Sequence, residues 1–246
     1  MKTIHFIFQG KGGVGKTLTS SYLMQYIQER NTKEKIIGVD TDPNNSSFTS
    51  IKALKIKFLS LLDENEQINE RNFDALIELL FKNKETTFVI DNGATSFLPL
   101  IGYLVDNNIF KILEEHFKIL IHIPVTGGQA QKDTLNGMEH LIKTFHAENV
   151  NFIIWVNEFF GKLIEGNKTF EELNQYEEHK KHIRGIMYLP EMNAKTYGKD
   201  LEDMTKAKLT FQEVLTDPKF SFMAKQRLNM YKNKIFESLD LLGLVS

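Results

Sequence analysis

Residues Gly10-Lys11-Gly12-Gly13-Val14-Gly15-Lys16-Thr17 (GKGGVGKT) decide the fold. They fit the phosphate-loop pattern G-x-x-x-x-G-K-[ST], with Gly10, Gly15, Lys16 and Thr17 in register. Just before them, Thr3 to Gln9 (TIHFIFQ) is a β-branched and aromatic run that reads as a buried strand. Just after, Leu18 to Arg30 carries Leu23, Met24 and Ile27 at helical spacing. A strand, a glycine loop and a helix in that order make a phosphate cradle. Glycines let backbone N–H groups converge on phosphate oxygens, and the helix N-terminus adds its partial positive charge. The expected cradle is Gly10, Lys11, Gly12, Gly13, Val14, Gly15, Lys16, Thr17 and Leu18. Within it Lys16 is placed to reach the β- and γ-phosphates, and the Thr17 hydroxyl to ligate Mg²⁺.

The rest of the chain bounds what such a cradle serves. A length of 246 residues suits one large α/β domain, residues 1–246, with room for a sizeable core. A net charge of −2 gives no global electrostatic case for nucleic acid or membrane. No cysteine is present, so disulfides and thiolate metal sites are excluded; together with the lack of a signal-peptide layout or an eighteen-residue apolar run, this leads to the expectation of a cytoplasmic protein.

Downstream, apolar runs alternate with helical patterns. Lys35 to Asp40 (KIIGVD) reads as a second strand, ending in Asp40-Thr41-Asp42-Pro43. Carboxylates at i and i+2 on the C-terminal edge of a strand, closed by proline, suit a Mg²⁺ shell or a water-orienting base. Lys52 to Leu62 looks like a strand with lysines on one side, and Arg71 to Lys82 like an amphipathic helix. Thr87 to Asp91 is a buried strand ending in an acid, and Gly93 after it can offer an N–H to a γ-phosphate. Ser96 to Phe117 reads as helix softened by Pro99 and Asn107-Asn108, Lys118 to Val125 as strand, Gln129 to Phe145 as helix and Asn151 to Asn157 as strand. His122, within an apolar strand, reads as a core histidine. Thr169-x-x-Glu172 is a capping box opening a helix to about His182, and Gly185 to Leu189 is a last strand before Pro190. Two short helices are expected over Tyr197 to Leu215. An amphipathic helix follows from Pro218 to about Leu242, with a stripe of Leu228, Tyr231, Ile235, Leu239 and Leu242 that reads first as packed on the domain and alternatively as a membrane or partner face. The pattern predicts a doubly wound, mostly parallel α/β sheet flanked by helices, with its ligand at the C-terminal strand ends.

Lys11 sharpens the reading. With it the loop becomes K-G-G-x-G-K-[ST], and the chain resembles the ParA/MinD group of dimeric P-loop ATPases with a deviant Walker A loop. The resemblance implies ATP and Mg²⁺ as cofactors, and an ATP-dependent homodimer in which Lys11 reaches the partner's nucleotide. It implies that Asp42 positions the attacking water, that Thr17, Asp40 and Asp91 form the metal's shells, and that catalysis rests on Lys11, Lys16 and Asp42. It further implies that Asn157 hydrogen-bonds adenine and that the loop at Pro190 wraps the base. Asn44-Asn45-Ser46 stands where the group often has Gln-Gly-Asn. None of the Asn-Lys pairs at Asn83, Asn167 and Asn233 continues as Asn-Lys-x-Asp, so ATP is favoured over GTP.

A likeness to conjugal transfer ATPases of mobile plasmids extends over nearly the full length. It is carried by QGKGGVGK at Gln9–Lys16, DTDPNN at Asp40–Asn45, NERNFD at Asn69–Asp74 and IDNGATSFLPL at Ile90–Leu100. VTGGQA at Val125–Ala130, WVN at Trp155–Asn157, TYGKD at Thr196–Asp200 and LTFQE at Leu209–Glu213 continue it. This implies a slowly hydrolysing ATPase switch accessory to conjugation, with a relaxosome or coupling component as partner. The alternatives are a nonspecific-DNA-binding partition ATPase and a small-molecule kinase or ligase of the same fold. DNA, and transient membrane contact through the C-terminal helix, are the alternative partners.

Overall fold

The computed structural model describes residues 1–191 and 195–245. Seven strands form one sheet: β1 (Lys2–Ile7), β2 (Ile36–Asp40), β3 (Lys57–Phe58), β4 (Thr87–Asp91), β5 (Phe117–Thr126), β6 (Val150–Asn157) and, after a two-stranded hairpin of β7 (Ile164–Glu165) and β8 (Lys168–Thr169), β9 (Ile183–Leu189). The sheet order is β3-β2-β4-β1-β5-β6-β9, and every pairing in it is parallel. Parallel strands need crossovers, and helices supply them. Between strands lie α1 (Lys16–Arg30), α2 (Asn72–Lys82), α3 (Phe97–Asp106), α4 (Ile109–Leu113), α5 (Gln131–Phe145) and α6 (Asn174–His179), and after β9 come α7 (Tyr197–Lys206), α8 (Phe211–Thr216) and α9 (Phe222–Leu241).

Because helices cover both faces, the central strands are apolar on both sides. On β1, Ile4, Phe6 and the following Phe8 join a core with α2, α3 and α5, while Ile7 joins one with α1, α8 and α9. On β6, Phe152, Ile154 and Val156 face the first core, and Ile153 and Trp155 the second. β1 lies between β4 and β5, so the chain leaves it for one half of the sheet and later returns to fill the other. That switch in strand order opens a crevice at the C-terminal end of β1, where the glycine loop lies.

His122 is a core histidine, as expected, and it has company. Trp155 Nε1 donates to His122 Nδ1 at 2.9 Å, and His122 Nε2 lies 2.9 Å from His5 Nδ1. Since the indole can only donate, His122 must carry its proton on Nε2 and pass it toward His5 Nδ1. Both rings are fully buried.

Four expectations change. Lys52 to Leu62 is not one strand: it folds as a 3₁₀ turn at Lys52–Leu54, a left-handed Lys55 (φ 52°) and the two-residue edge strand β3. Lysines along a sheet edge disfavour longer pairing. Ser96 to Phe117 is two helices, because Asn108 takes φ 50°, a conformation asparagine tolerates, and Phe117 already opens β5. The Thr169–Glu172 capping box is present, but it caps a 3₁₀ turn and α6 ends at His179. The last helix starts at Phe222 rather than Pro218, capped by Ser221 Oγ, which accepts from Ala224 N at 3.2 Å.

The apolar stripe of α9 packs on the domain. Leu228, Tyr231, Ile235 and Leu239 are buried, Tyr231 lies edge-on to Tyr22, and Phe236 edge-on to Tyr26. Ion pairs Arg227–Asp200, Lys232–Glu29 and Arg30–Asp240 rim the contact. The stripe is therefore occupied by the protein's own core, as the reading of a helix packed on the domain expects, and not left open as a membrane face. No helix among the described residues is long and apolar enough to cross a membrane.

Candidate nucleotide site

The glycine loop runs from β1 into α1 with Gly13 at φ 75° and Gly15 at φ 104°, both left-handed. Gly15 is the N-cap of α1; no side chain caps the helix and its first turn has no acid. The N–H groups at that end therefore have no competing anion, which leaves an anion site. A Cβ at Gly13 would meet nothing within 4 Å, whereas one at Gly15 would lie 2.8 Å from Asn157 Nδ2. Beside the loop a cavity of about 390 Å³ is lined by Gly12, Lys16, Thr17, Asp42, Ser47 and Thr95. Lys16 is buried, and its Nζ donates to Lys11 O at 2.9 Å, curling back over the loop. Burial lowers its pKa, and Asp91 and Asp42 oppose that shift.

Strand ends bring the carboxylates to the same crevice. Asp40 and Asp91 are register partners on β2 and β4. Asp91 accepts Thr17 Oγ1 at 2.7 Å on one oxygen and Ser20 Oγ at 2.9 Å on the other. Burial pushes its pKa up to about 7; the Thr17 and Ser20 hydrogen bonds and Lys16 pull it back, while the Asp40 charge adds to the rise. A cation at Thr17 would lower it again, so the donor set fits a Mg²⁺ held by the Thr17 hydroxyl with Asp91 behind it. Asp40 behaves differently. Its Oδ2 accepts Thr49 N and Thr49 Oγ1 at 2.8 and 3.0 Å, and its Oδ1 accepts Asp42 N at 3.1 Å. Both oxygens are spent on pinning the loop that follows β2, and burial raises its pKa.

Asp42 is half-exposed, and its Oδ1 accepts the N–H groups of Asn44 and Asn45, each at 3.0 Å. Behind it, Thr41 Oγ1 and Ser96 Oγ lie 3.1 and 2.8 Å from Asn92 Oδ1, leaving the buried Asn92 Nδ2 without a partner. Turned end for end, the amide would donate to both hydroxyls, which would pass their protons to Asp91 O and Gly93 O, 3.1 and 3.3 Å away. That arrangement pairs both buried N–H donors, and the chemistry favours it.

Lys11 is exposed and ion-paired with Asp133 at the start of α5, 2.8 Å away. Asn157, buried at the end of β6, donates from Nδ2 to Val14 O at 3.0 Å and accepts Phe159 N at 3.2 Å. It therefore ties the glycine loop to the sheet, a role the sequence did not suggest. It also lines an apolar cavity of about 330 Å³ with Leu18, Tyr22, Phe160, Leu189 and Pro190, of a size and polarity that suit a nucleobase. The loop after Pro190 includes residues 192–194, which lie outside the described residues. Sequence reasoning missed Ser20, Ser47, Thr41 and Asn92. Ser20 was findable, since it lies one turn after Lys16 on the same helix face. The other three meet the site only through the fold.

A family model described as the CobQ/CobB/MinD/ParA nucleotide binding domain matches residues 5–201. Over 241 residues the chain is 39% identical to Protein TraL of Escherichia coli, covering 98% of each. Among solved structures it is similar to the septum site-determining protein MinD complexed with Mg-ADP from Pyrococcus horikoshii OT3, with TM-score 0.54, 13% identity and all of both chains covered. The MinC:MinD cell division protein complex of Aquifex aeolicus aligns with TM-score 0.52 and 17% identity over 96% of each chain. Those two likenesses concern the fold. A family match across most of the length, joined to a full-length relative, places this protein: the chain belongs to the CobQ/CobB/MinD/ParA nucleotide-binding family.

Proposed function

We propose that the protein is a Mg-ATP-binding, slowly hydrolysing ATPase switch that dimerises on ATP and is accessory to conjugal DNA transfer. The observation that carries this reading is the uncapped, acid-free N-terminus of α1, with Lys16 buried over it and Thr17 hydrogen-bonded to Asp91. Residues 10–18 hold the phosphates. Thr17, with Asp91 hydrogen-bonded behind it, would hold Mg²⁺, which would supply charge neutralisation to the phosphates. Asp40 acts on the metal shell at a distance, by fixing the loop that carries Asp42. Asp42, with Oδ1 engaged by backbone, has Oδ2 to orient the attacking water. The base lies in the apolar cavity, with Asn157 at its inner end and Pro190 at its rim.

Lys11 leaves Asp133 to reach the nucleotide of a second copy. Both side chains of that pair are solvent-exposed, so it is weak and a triphosphate of higher charge outcompetes it. The conjugal role, and a relaxosome or coupling partner, rest on the likeness to TraL. Size-exclusion chromatography with ATP, ADP or no nucleotide tests the switch. Wild type should run as a dimer with ATP alone, and Lys11→Ala should stay monomeric while still binding ATP. A Lys11→Ala protein that dimerises like wild type contradicts the assignment of Lys11.

A further inference from the structure

Two loops border the γ-phosphate end of the cavity: residues 41–47 after β2, and residues 92–96 after β4. They are locked together at three points. Thr41 and Ser96 meet on the Asn92 side chain. Asn44 Nδ2 donates to Thr95 Oγ1 at 3.1 Å. Between these, Gly93 lies directly against Asp42: a Cβ there would be 2.8 Å from Asp42 Cγ, 2.9 Å from Oδ1 and 3.0 Å from Cα. Gly93 is not among the left-handed glycines, so backbone conformation does not require it. Its missing side chain is the space the Asp42 carboxylate fills.

We propose that Gly93 is a positioning residue: it seats the Asp42 carboxylate against the second loop, so that the water-orienting group is aimed by the segment that follows β4. Asp42 is gripped on two sides, its Oδ1 by the amides of Asn44 and Asn45 and its Cγ by Gly93. A methyl at position 93 cannot be absorbed by a flexible chain end, because one of its close neighbours is the Asp42 backbone. It must push the carboxylate off its place, while none of the atoms nearest to it belongs to the phosphate cradle. The seat therefore acts on turnover and not on affinity for ADP, which has no γ-phosphate for the Gly93 N–H to meet. This rests on the role proposed for Asp42, and two separate measurements keep the two claims apart.

The first measurement is geometric and needs no ATPase activity. Melting temperatures are compared for wild type, Gly93→Ala, Asp42→Ala and the double variant. Replacing Asp42 by alanine removes two of the three close contacts, so Gly93→Ala should lower the melting temperature less in the Asp42→Ala background. An equal loss in both backgrounds overturns the seat. The second is single-turnover hydrolysis of ATP with protein in excess, beside affinity for a fluorescent ADP analogue. Gly93→Ala should slow hydrolysis by about 10²-fold, the scale of an ångström's misplacement, with ADP affinity within about twofold of wild type. Gly93→Ala hydrolysing at the wild-type rate overturns the proposal; Asp42→Ala doing so overturns instead the role of Asp42 on which it rests.

Discussion

At the scale of single residues, Gly15 carries two demands at once. Its φ of 104° is costly for any residue with a Cβ, by about 1–2 kcal/mol, and a Cβ would also press on Asn157 Nδ2. Gly13 has only the first demand, since nothing lies within 4 Å of its Cβ position. Gly15→Ala should therefore lower thermal stability more than Gly13→Ala, and should also weaken nucleotide binding by breaking the Asn157–Val14 tie. Equal losses in the two variants, by calorimetry, would show that Asn157 does not brace the loop. The same pair shows what a motif conveys. The spacing of Gly10, Gly15, Lys16 and Thr17 is read directly from the chain, because a phosphate cradle is a local structure. That Asn157, far along the chain, holds the loop's Val14 carbonyl is a tertiary fact, and a sequence pattern cannot express it.

At the scale of elements, β1, β5 and β6 bury a polar chain inside an apolar sheet: His5, His122 and Trp155. Burial, with a contribution from Arg184, lowers the pKa of His5 to about 3, and burial with the His5 and Arg184 charges pushes His122 well below its ordinary value. The unfolded chain takes up these protons near pH 6.5, and the folded chain refuses them. The stability they confer is complete above that pH and is lost as the pH falls toward the folded value, at about 1.4 kcal/mol per unit for each ring. Unfolding free energies from urea titrations should be lower at pH 5 than at pH 7 by on the order of 2 kcal/mol per histidine. Asp91, pushed up to about 7, takes up a proton in the same window when folded and offsets part of the fall alike in both proteins, so His5→Gln should still show a smaller fall than wild type. An equal pH dependence in both proteins would mean that the pair accepts protons when folded. Strands and long helices were legible because two-sided burial writes continuous apolar runs and helical faces. The Asn107-Asn108 pair marked a weak point in its helix without announcing a full break, and the split of Lys52–Leu62 was not legible; each turns on one left-handed residue, Asn108 or Lys55, whose neighbours continue a plausible pattern.

At the scale of the whole molecule, the parallel order β3-β2-β4-β1-β5-β6-β9 makes one crevice from residues spread along the chain. It sets Thr17, Asp42, Asp91 and Asn157 around one loop, with α9 packed over α1 on the same face of the sheet. The doubly wound class and the C-terminal-edge placement of these residues followed from alternating apolar runs and a glycine loop after the first of them. The α9 stripe reads first as packed on the domain, with a membrane or partner face left open beside it, because an amphipathic helix reads alike whether its partner is its own domain or a surface elsewhere. The measurement that tests the account most directly is a calorimetric titration of the intact protein with ATP, with and without Mg²⁺, beside Lys16→Ala. The account predicts magnesium-dependent binding at one site per chain, and its near abolition in a Lys16→Ala protein that remains folded. Absence of magnesium-dependent binding by wild type, or equal affinity in Lys16→Ala, would contradict it.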